Sequence, residues 1–527
     1  MQNANVRLFT SVLLFSFLLL IAGYEAYGQV SVLKGTIIDS LSLEPVSFAT
    51  VYIDYKTGTI ADEQGFFTIQ LPADKLSDTL NISCVGFTGK RLPVKDLKLL
   101  LNNGIYLQRN IYEISSIIVK AKAKKVQKPE KIVSRAISLI PDNYSGKRVV
   151  YKGYYREYLK DRNTFLNLFE SILNLEDYGI ALNYNFNANL EFKRLNKDFR
   201  LDSSLFKPYD NEDKYVPMAR VHLSGKNELA VLKSTDPIKN KFGYSISYID
   251  NLRKDYLLNH SFNSVKITYL NDRPYYVISF KDINNYTIGV ERITMNGTIY
   301  IDAENYGIKK INYLATLHSS IKTKKLYELN VEYQQEGDKY YLHYISYNNL
   351  FKTSSFACTG AVLRNDTLEL AFNRKLKMQK FTAENIKVFY NKNEQSIEQI
   401  SNKENLLQLT FSDTSAISRE IRKSTDTFLN LKKNSNADEI LSALRLEFNG
   451  IRDIADIQLS NQPFSEYYQY REFFVHEIYT ENPAVLSNPL NVTIPVFESE
   501  PVDGGSDRNI SWFNTPLIQE STEKIFP

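Results

Sequence analysis

Cysteine and histidine are scarce in this chain of 527 residues, which holds two of the first and five of the second. Two cysteines, Cys84 and Cys358, cannot make a disulfide scaffold. Cys84 alternates with Leu80 and Ile82 and reads as a small buried hydrophobe. Whether it bridges to Cys358 depends on a geometry that sequence does not show. The histidines are His222, His260, His318, His343 and His476. None begins a His-x-x-Glu pair, and position 480 after His476-Glu477 is Thr480, so no zincin motif exists. The chain also lacks a Gly-x-Ser-x-Gly elbow, a phosphate loop and a dinucleotide fingerprint. Charge of one sign is missing too, with 64 Lys+Arg against 60 Asp+Glu and a net +4. Nothing in that balance calls for a nucleic acid. No run after Ala22 reaches the roughly 20 apolar residues of a membrane-spanning helix.

Aromatics are abundant, at 36 Tyr and 30 Phe beside a single Trp. Tyrosine joins an apolar ring to a polar tip and suits glycan or peptide binding. Strands also favour these residues, and runs such as Tyr340-Tyr-Leu-His-Tyr344 alternate as sheet residues do, so packing is their expected role. His343 falls in that run and is expected as a packed or solvent-facing strand residue. Glu170 and Glu176 flank the apolar run Ile172–Leu175, and a spacing of six puts both on one strand face. As paired acids they would suit glycoside chemistry, but a solvent-facing edge accounts for them equally.

The chain opens with Arg7 before an apolar run from Leu8 to Ala22. Small residues follow at Ala26-Tyr-Gly28, a pattern that predicts a signal peptide over residues 1–28 and export. Short alternating runs then follow between turn residues: Leu33–Asp39, Ala49–Asp54, Gly65–Leu71, Leu80–Cys84 and Ile114–Ala121. Ala49, Val51 and Ile53 share one face, as do Phe67, Ile69 and Leu71. Turns at Pro45, Gly58, Asp62–Gly65 and Pro72 divide them into an all-β sandwich of about seven strands. Asp62 reads as a turn former rather than a ligand, because its carboxylate can bind nearby amides while Gly65 takes a positive φ.

The order Gly35-Thr-Ile-Ile-Asp39, Glu44-Pro45, Ala49-Thr-Val-Tyr-Ile53, Gly58-Thr-Ile-Ala-Asp62, Gly65-Phe-Phe-Thr-Ile69 and Ser83-Cys-Val-Gly-Phe87 resembles the carboxypeptidase-regulatory-like domain. That is a transthyretin-like β-sandwich common in exported proteins of Bacteroidota. The resemblance implies an accessory module over 29–121, not a peptidase. Ile114–Lys122 resembles the strand that follows this domain in TonB-dependent receptors.

Residues 122–128 read as a linker, locally basic and solvated. Pro129 opens a predicted helix with Ile132, Val133, Ala136, Ile137 and Ile140 on one face and Pro141 as its stop. Strands are expected at Val149–Leu159, Phe165–Leu175, Ser264–Leu270, Tyr275–Phe280, Gly297–Asp302, Tyr306–Leu314, Leu326–Gln334 and Tyr340–Tyr347. Together they predict an α+β antiparallel-sheet domain over 129–375 with a packed helix. It carries a polar insertion at about 180–260 that includes a helix from Ser247 to His260. Tyr151-Lys-Gly-Tyr-Tyr-Arg-Glu157 and Gly297-Thr-Ile-Tyr-Ile-Asp302 resemble a Bacteroidota envelope-protein family of unknown function. In that family a regulatory-like module precedes this domain and a β-barrel follows. The Gly297 hairpin is also similar to one in the sheets of periplasmic lipoprotein carriers. A mixed helical and strand region is expected at 376–480, with helices at Ile417–Leu431 and Ala437–Leu446 and a strand at Arg471–Ile478. An extended tail is expected at 481–527. The lipid-facing rows of a barrel are not apparent.

These readings predict a non-enzymatic exported protein of the periplasm or the periplasmic face of the outer membrane. It would act as a binding or scaffold module with a protein partner in the outer membrane, with lipid or glycan as a further ligand class. No catalytic, cofactor-binding or metal residues are predicted, and no cofactor. The alternatives are a lipid or lipoprotein carrier, with a cavity between sheet and helix, and a peptide or glycan hydrolase.

Overall fold

The computed structural model describes residues 31–502, apart from segments 114–126, 203–226, 247–255, 413–426 and 431–443 and gaps of five residues or fewer. The expected signal peptide, the strand at Ile114–Ala121, most of the linker and residues 503–527 lie outside the described residues.

Seven strands form the first unit: β1 (Ser31–Asp39), β2 (Thr50–Tyr52), β3 (Gly58–Ile60), β4 (Phe66–Leu71), β5 (Thr79–Ser83), β6 (Lys90–Pro93) and β7 (Asn102–Leu107). They make two sheets, ordered β4-β1-β7 and β3-β2-β5-β6. Leu33, Ile37, Val51, Phe67, Ile69, Leu80 and Ile82 meet in one core between them, as period-2 alternation requires. At the turn before β4, Asp62 Oδ1 accepts the amides of Gln64 and Phe66, each at 2.9 Å. Gly65 there has a φ of 73°, the left-handed conformation that glycine takes without steric cost.

The second unit is one large antiparallel sheet. Its strands are β8 (Tyr112–Glu113), β9 (Val149–Asp161), β10 (Thr164–Asp177), β11 (Phe186–Leu195), β14 (His260–Leu270), β15 (Arg273–Asp282), β16 (Tyr286–Ile288), β17 (Glu291–Asp302), β18 (Ile308–His318), β19 (Thr323–Glu336), β20 (Lys339–Ser354) and β29 (Phe464–Tyr479). The order is β11-β10-β9-β29-β20-β19-β18-β17-β15-β14-β8, with β16 paired to β17. A small hairpin, β12 (Lys241–Phe242) with β13 (Ser245–Ile246), stands apart. One sheet face is covered by helices Pro129–Ser138, Glu228–Ser234 and Tyr256–Asn259 and by the tail. Ile132, Val133, Leu229, Tyr256 and Val496 join Tyr155, Phe169, Ile299 and Ile345 there in one core. Helix Pro129–Ser138 ends before Pro141, which opens a further single turn, Ile140–Asn143. The opposite face carries the sandwich: Phe48 and Ile60 pack on Tyr344 and Phe474.

Several expectations need correction. The strand expected at Arg471–Ile478 lies not in a mixed region but near the middle of the large sheet, between β9 and β20. Between β20 and β29 the chain leaves to build a further sandwich. Its strands are β21 (Cys358–Arg364), β22 (Thr367–Phe372), β23 (Ile386–Tyr390), β24 (Asn393–Glu394), β25 (Ile397–Lys403), β26 (Leu406–Phe411), β27 (Thr427–Asn430) and β28 (Leu444–Phe448). Sheets ordered β25-β26-β22-β21-β27 and β24-β23-β28 enclose Leu368, Leu370, Ile386, Val388, Leu407 and Leu409. Ser354 and Phe464 are paired neighbours, so the excursion starts and ends at one place. The boundary expected at 375 therefore falls inside this sandwich.

The ends of both helices expected here, at Thr427–Asn430 and Leu444–Leu446, are strand; the rest of them lies outside the described residues. Leu444, Leu446 and Phe448 alternate against charged neighbours, and pairing with β23 settles the period as 2. The 180–260 insertion supplies β11, an edge strand of the sheet, and only Tyr256–Asn259 of the helix expected at Ser247–His260 is helical among the described residues. The tail is irregular but not superficial: Val496 is fully buried, and Leu490 N and Val502 N donate to Ala188 and Leu190 of β11.

Candidate functional site: a cleft between sandwich and sheet

Side chains on a strand alternate, and one extra residue shifts that phase and re-aims the side chain. The large sheet carries several such bulges, and three of them meet at one place. In β18, Ile308 and Lys310 pair with Ile301 and Tyr300, and Lys309 is passed over. In β20, Leu342 and Tyr344 pair with Tyr333 and Glu332, and His343 is passed over. In β29, Val475 and Glu477 pair with Gly153 and Lys152, and His476 is passed over. The three displaced residues line one cleft of about 700 Å³. Gly153 permits the third bulge, because a Cβ there would collide with the Phe474 carbonyl.

The sheet wall of the cleft adds Glu332, Gln334 and Glu336, at every second position of β19, with Phe474 and Glu477. The sandwich wall supplies Thr50, Tyr52, Gly58 and Ser83. Lys309 Nζ lies 3.1 Å from Glu332 Oε1 and donates to the Tyr333 carbonyl at 2.6 Å, while Lys310 Nζ lies 3.8 Å from Glu332 Oε2. Burial pushes the Glu332 carboxyl up, but Lys309 and Lys310 outweigh it and hold it down at about 2. The Phe474 ring meets His343 edge-on at 5.2 Å and His476 at 4.7 Å. Burial lowers both imidazoles, to about 4 for His343 and about 3 for His476, so both are neutral at pH 7. His343 Nδ1 is buried without a hydrogen-bond partner among the described residues.

Beside the cleft, a buried charged pair of the sheet lies close to the sandwich. Arg156 pairs with Glu472, which also accepts from the Tyr344 hydroxyl at 2.8 Å. Asp62 of the sandwich feels both charges. Burial drives its carboxyl up to about 7, against the pull of Arg156 and with the push of Glu472. Strand β8 adds an attachment by pairing with β14 at the far end of the sheet.

The acids singled out in the sequence do share a face, the one facing the sandwich, but they are buried rather than solvent-facing. Glu170 accepts from Tyr154 at 2.7 Å and pairs with Arg194 at 2.6 Å. Glu176 is held by Arg148, by Asn187 at 2.8 Å and by Tyr178 at 3.1 Å. Such closed pairs have a structural explanation. The histidines scatter: His260 is buried beneath Tyr256 on the helix face, His318 bonds Thr294, and His222 lies outside the described residues. Only His343 and His476 are brought together. Among the described residues no group of three or more His, Cys, Asp or Glu is placed to hold a metal. Cys84 and Cys358 lie in different sandwiches and do not bridge to each other.

The bulged residues were not singled out as a set from sequence. A faint signal exists in Phe473-Phe-Val-His-Glu-Ile478, where four consecutive residues interrupt the alternation. The space beneath helix Pro129–Ser138, where a carrier would need its cavity, is occupied by Ile132, Val133, Ala136 and Ile137 packed into the main core. The cleft lies on the opposite face.

Residues 33–119 match the family model of the CarboxypepD_reg-like domain, which covers the sandwich and the approach to the large sheet. No curated protein and no solved structure matches the chain.

Proposed function

We propose that the chain is an exported, non-enzymatic binding protein of the cell envelope that holds a protein partner at the outer membrane. The observation that carries this reading is the outer edge of the sandwich. Strand β7 pairs with β1 on one side and ends its sheet on the other. Tyr106 on that strand is 49 % exposed, and Leu100 and Leu101 beside it are 69 % and 59 % exposed. Among the described residues no further strand pairs with that edge, and an edge with apolar neighbours suits strand addition by a partner. The opposite end of the molecule is managed differently, since the tail covers part of edge strand β11. Docking on the sheet through Phe48, Ile60 and β8 makes the sandwich a rigid platform for that edge.

Crosslinking of the tagged chain in its host, with mass spectrometry of the captured proteins, tests the proposal. Leu100→Lys and Tyr106→Lys charge the edge without touching the core. Capture of an outer-membrane protein by the parent, lost in both variants at unchanged thermal stability, is the expected result. Equal capture by parent and variants would remove the edge from the mechanism.

A further inference from the structure

We infer that the cleft binds an uncharged saccharide segment of one or two sugar units. The inference rests on the proposed binding role, in that the ligand is held and not turned over. Its volume of about 700 Å³ falls within the usual range for small-ligand sites. Charge narrows the class. Glu332, Glu336 and Glu477 line the cleft; Lys309 and Lys310 offset Glu332, which leaves Glu336 and Glu477 to set the sign of the wall. A phosphate, a carboxylate or an anionic lipid headgroup would enter a field of its own sign.

Hydrogen-bonding chemistry narrows it further. Each sugar hydroxyl both donates and accepts, and planar groups with two polar atoms match neighbouring hydroxyls. Glu332, Gln334 and Glu336 stand in one row, roughly 7 Å apart at strand spacing, so they present such groups at intervals comparable to a sugar ring. The neutral imidazole of His343 can donate at one nitrogen and accept at the other. Tyr52, 36 % exposed on the sandwich wall, offers an aromatic face to a sugar's C–H side. A lipid tail would strip water from this polar wall and return no hydrogen bonds to it.

The test is saturation-transfer NMR and titration calorimetry on the full chain, with cellobiose and N,N′-diacetylchitobiose as probes and glucose 6-phosphate as the anionic control. Binding of at least one neutral disaccharide, with the control weaker, is expected. Gln334→Ala and Glu336→Ala, neither in the packed core, should each weaken binding by about ten-fold, the scale of one lost hydrogen bond to a charged or amide group. Three results would overturn the inference: no transfer from either disaccharide, preference for the phosphate, or unchanged affinity in both variants. Captured peptide in place of sugar would do the same. Failure here with an edge-dependent outer-membrane partner still captured leaves the binding role standing. Cleavage of a disaccharide would instead remove the non-enzymatic reading itself.

Discussion

The two faces of the large sheet are made from the same strands and solve opposite problems. On the helix face, apolar side chains dominate and every prominent charge sits in a closed set. Arg471 is 1 % exposed and pairs with Glu228, and also donates to Asn349 Oδ1 at 2.6 Å. Asp177 is held by Lys233 at 2.8 Å and by Lys239. On the sandwich face three of the sheet's bulges converge, and they leave a polar cleft instead of a sealed core. Regular alternation builds a dry layer; bulges aimed at one point build a site.

The largest expected effect lies on the dry face. Arg471→Met leaves Glu228 buried and uncompensated and should cost about 3–5 kcal/mol in urea unfolding. The double variant with Glu228→Leu should recover most of that loss. If the single variant cost no more than a surface substitution, the closed-pair account of this face would be wrong.

Next comes pH dependence on the sandwich face. The folded pKa of Asp62, about 7, lies above its ordinary value of 3.8. Its contribution is therefore fully present below about 3.8 and is lost as pH rises through about 7. Glu332 runs the other way: depressed to about 2, it stabilises above the ordinary 4.5 and that stability is lost as pH falls towards 2. Asp62→Asn keeps the Oδ1 acceptor for Gln64 and Phe66 and removes the proton. It should flatten the decline in stability between pH 5 and 8 by an amount on the order of 2 kcal/mol. Urea midpoints measured across that range for parent and variant decide it, and parallel curves would refute it.

A smaller effect is expected at the foot of the third bulge. Gly153→Val drives a side chain onto the Phe474 carbonyl and should cost about 1–3 kcal/mol. It should also move His476, so disaccharide affinity should fall with stability; intact affinity would separate bulge from site. Smallest is Lys152→Ala, which removes a partly exposed pair with Glu191 at 2.7 Å. About 1 kcal/mol or less is expected in the same unfolding assay.

Strand after strand was legible before the structure because alternation of Val, Ile, Tyr and Phe is a local property. Asp62 is the clearest case, since its turn bonds lie within four residues. Its elevated pKa was not legible, because Arg156 and Glu472 reach it from strands far along the chain. Glu170 and Glu176 were placed on one face by counting, yet their burial depends on Arg194 and Arg148 arriving from neighbouring segments. Leu444–Leu446 looked helical as the end of a helix from Ala437, and only pairing with β23 made it a strand.

By itself the sequence determined a β-rich chain with a regulatory-like sandwich near its start, since turn residues and period-2 patterns act over a few residues. The tertiary structure decided that β29 returns to the middle of the sheet after a whole sandwich has intervened. It also decided that Lys309, His343 and His476 share one wall. A bulge is defined by two strands in register, so residues more than a hundred positions apart become one site only when those strands pair.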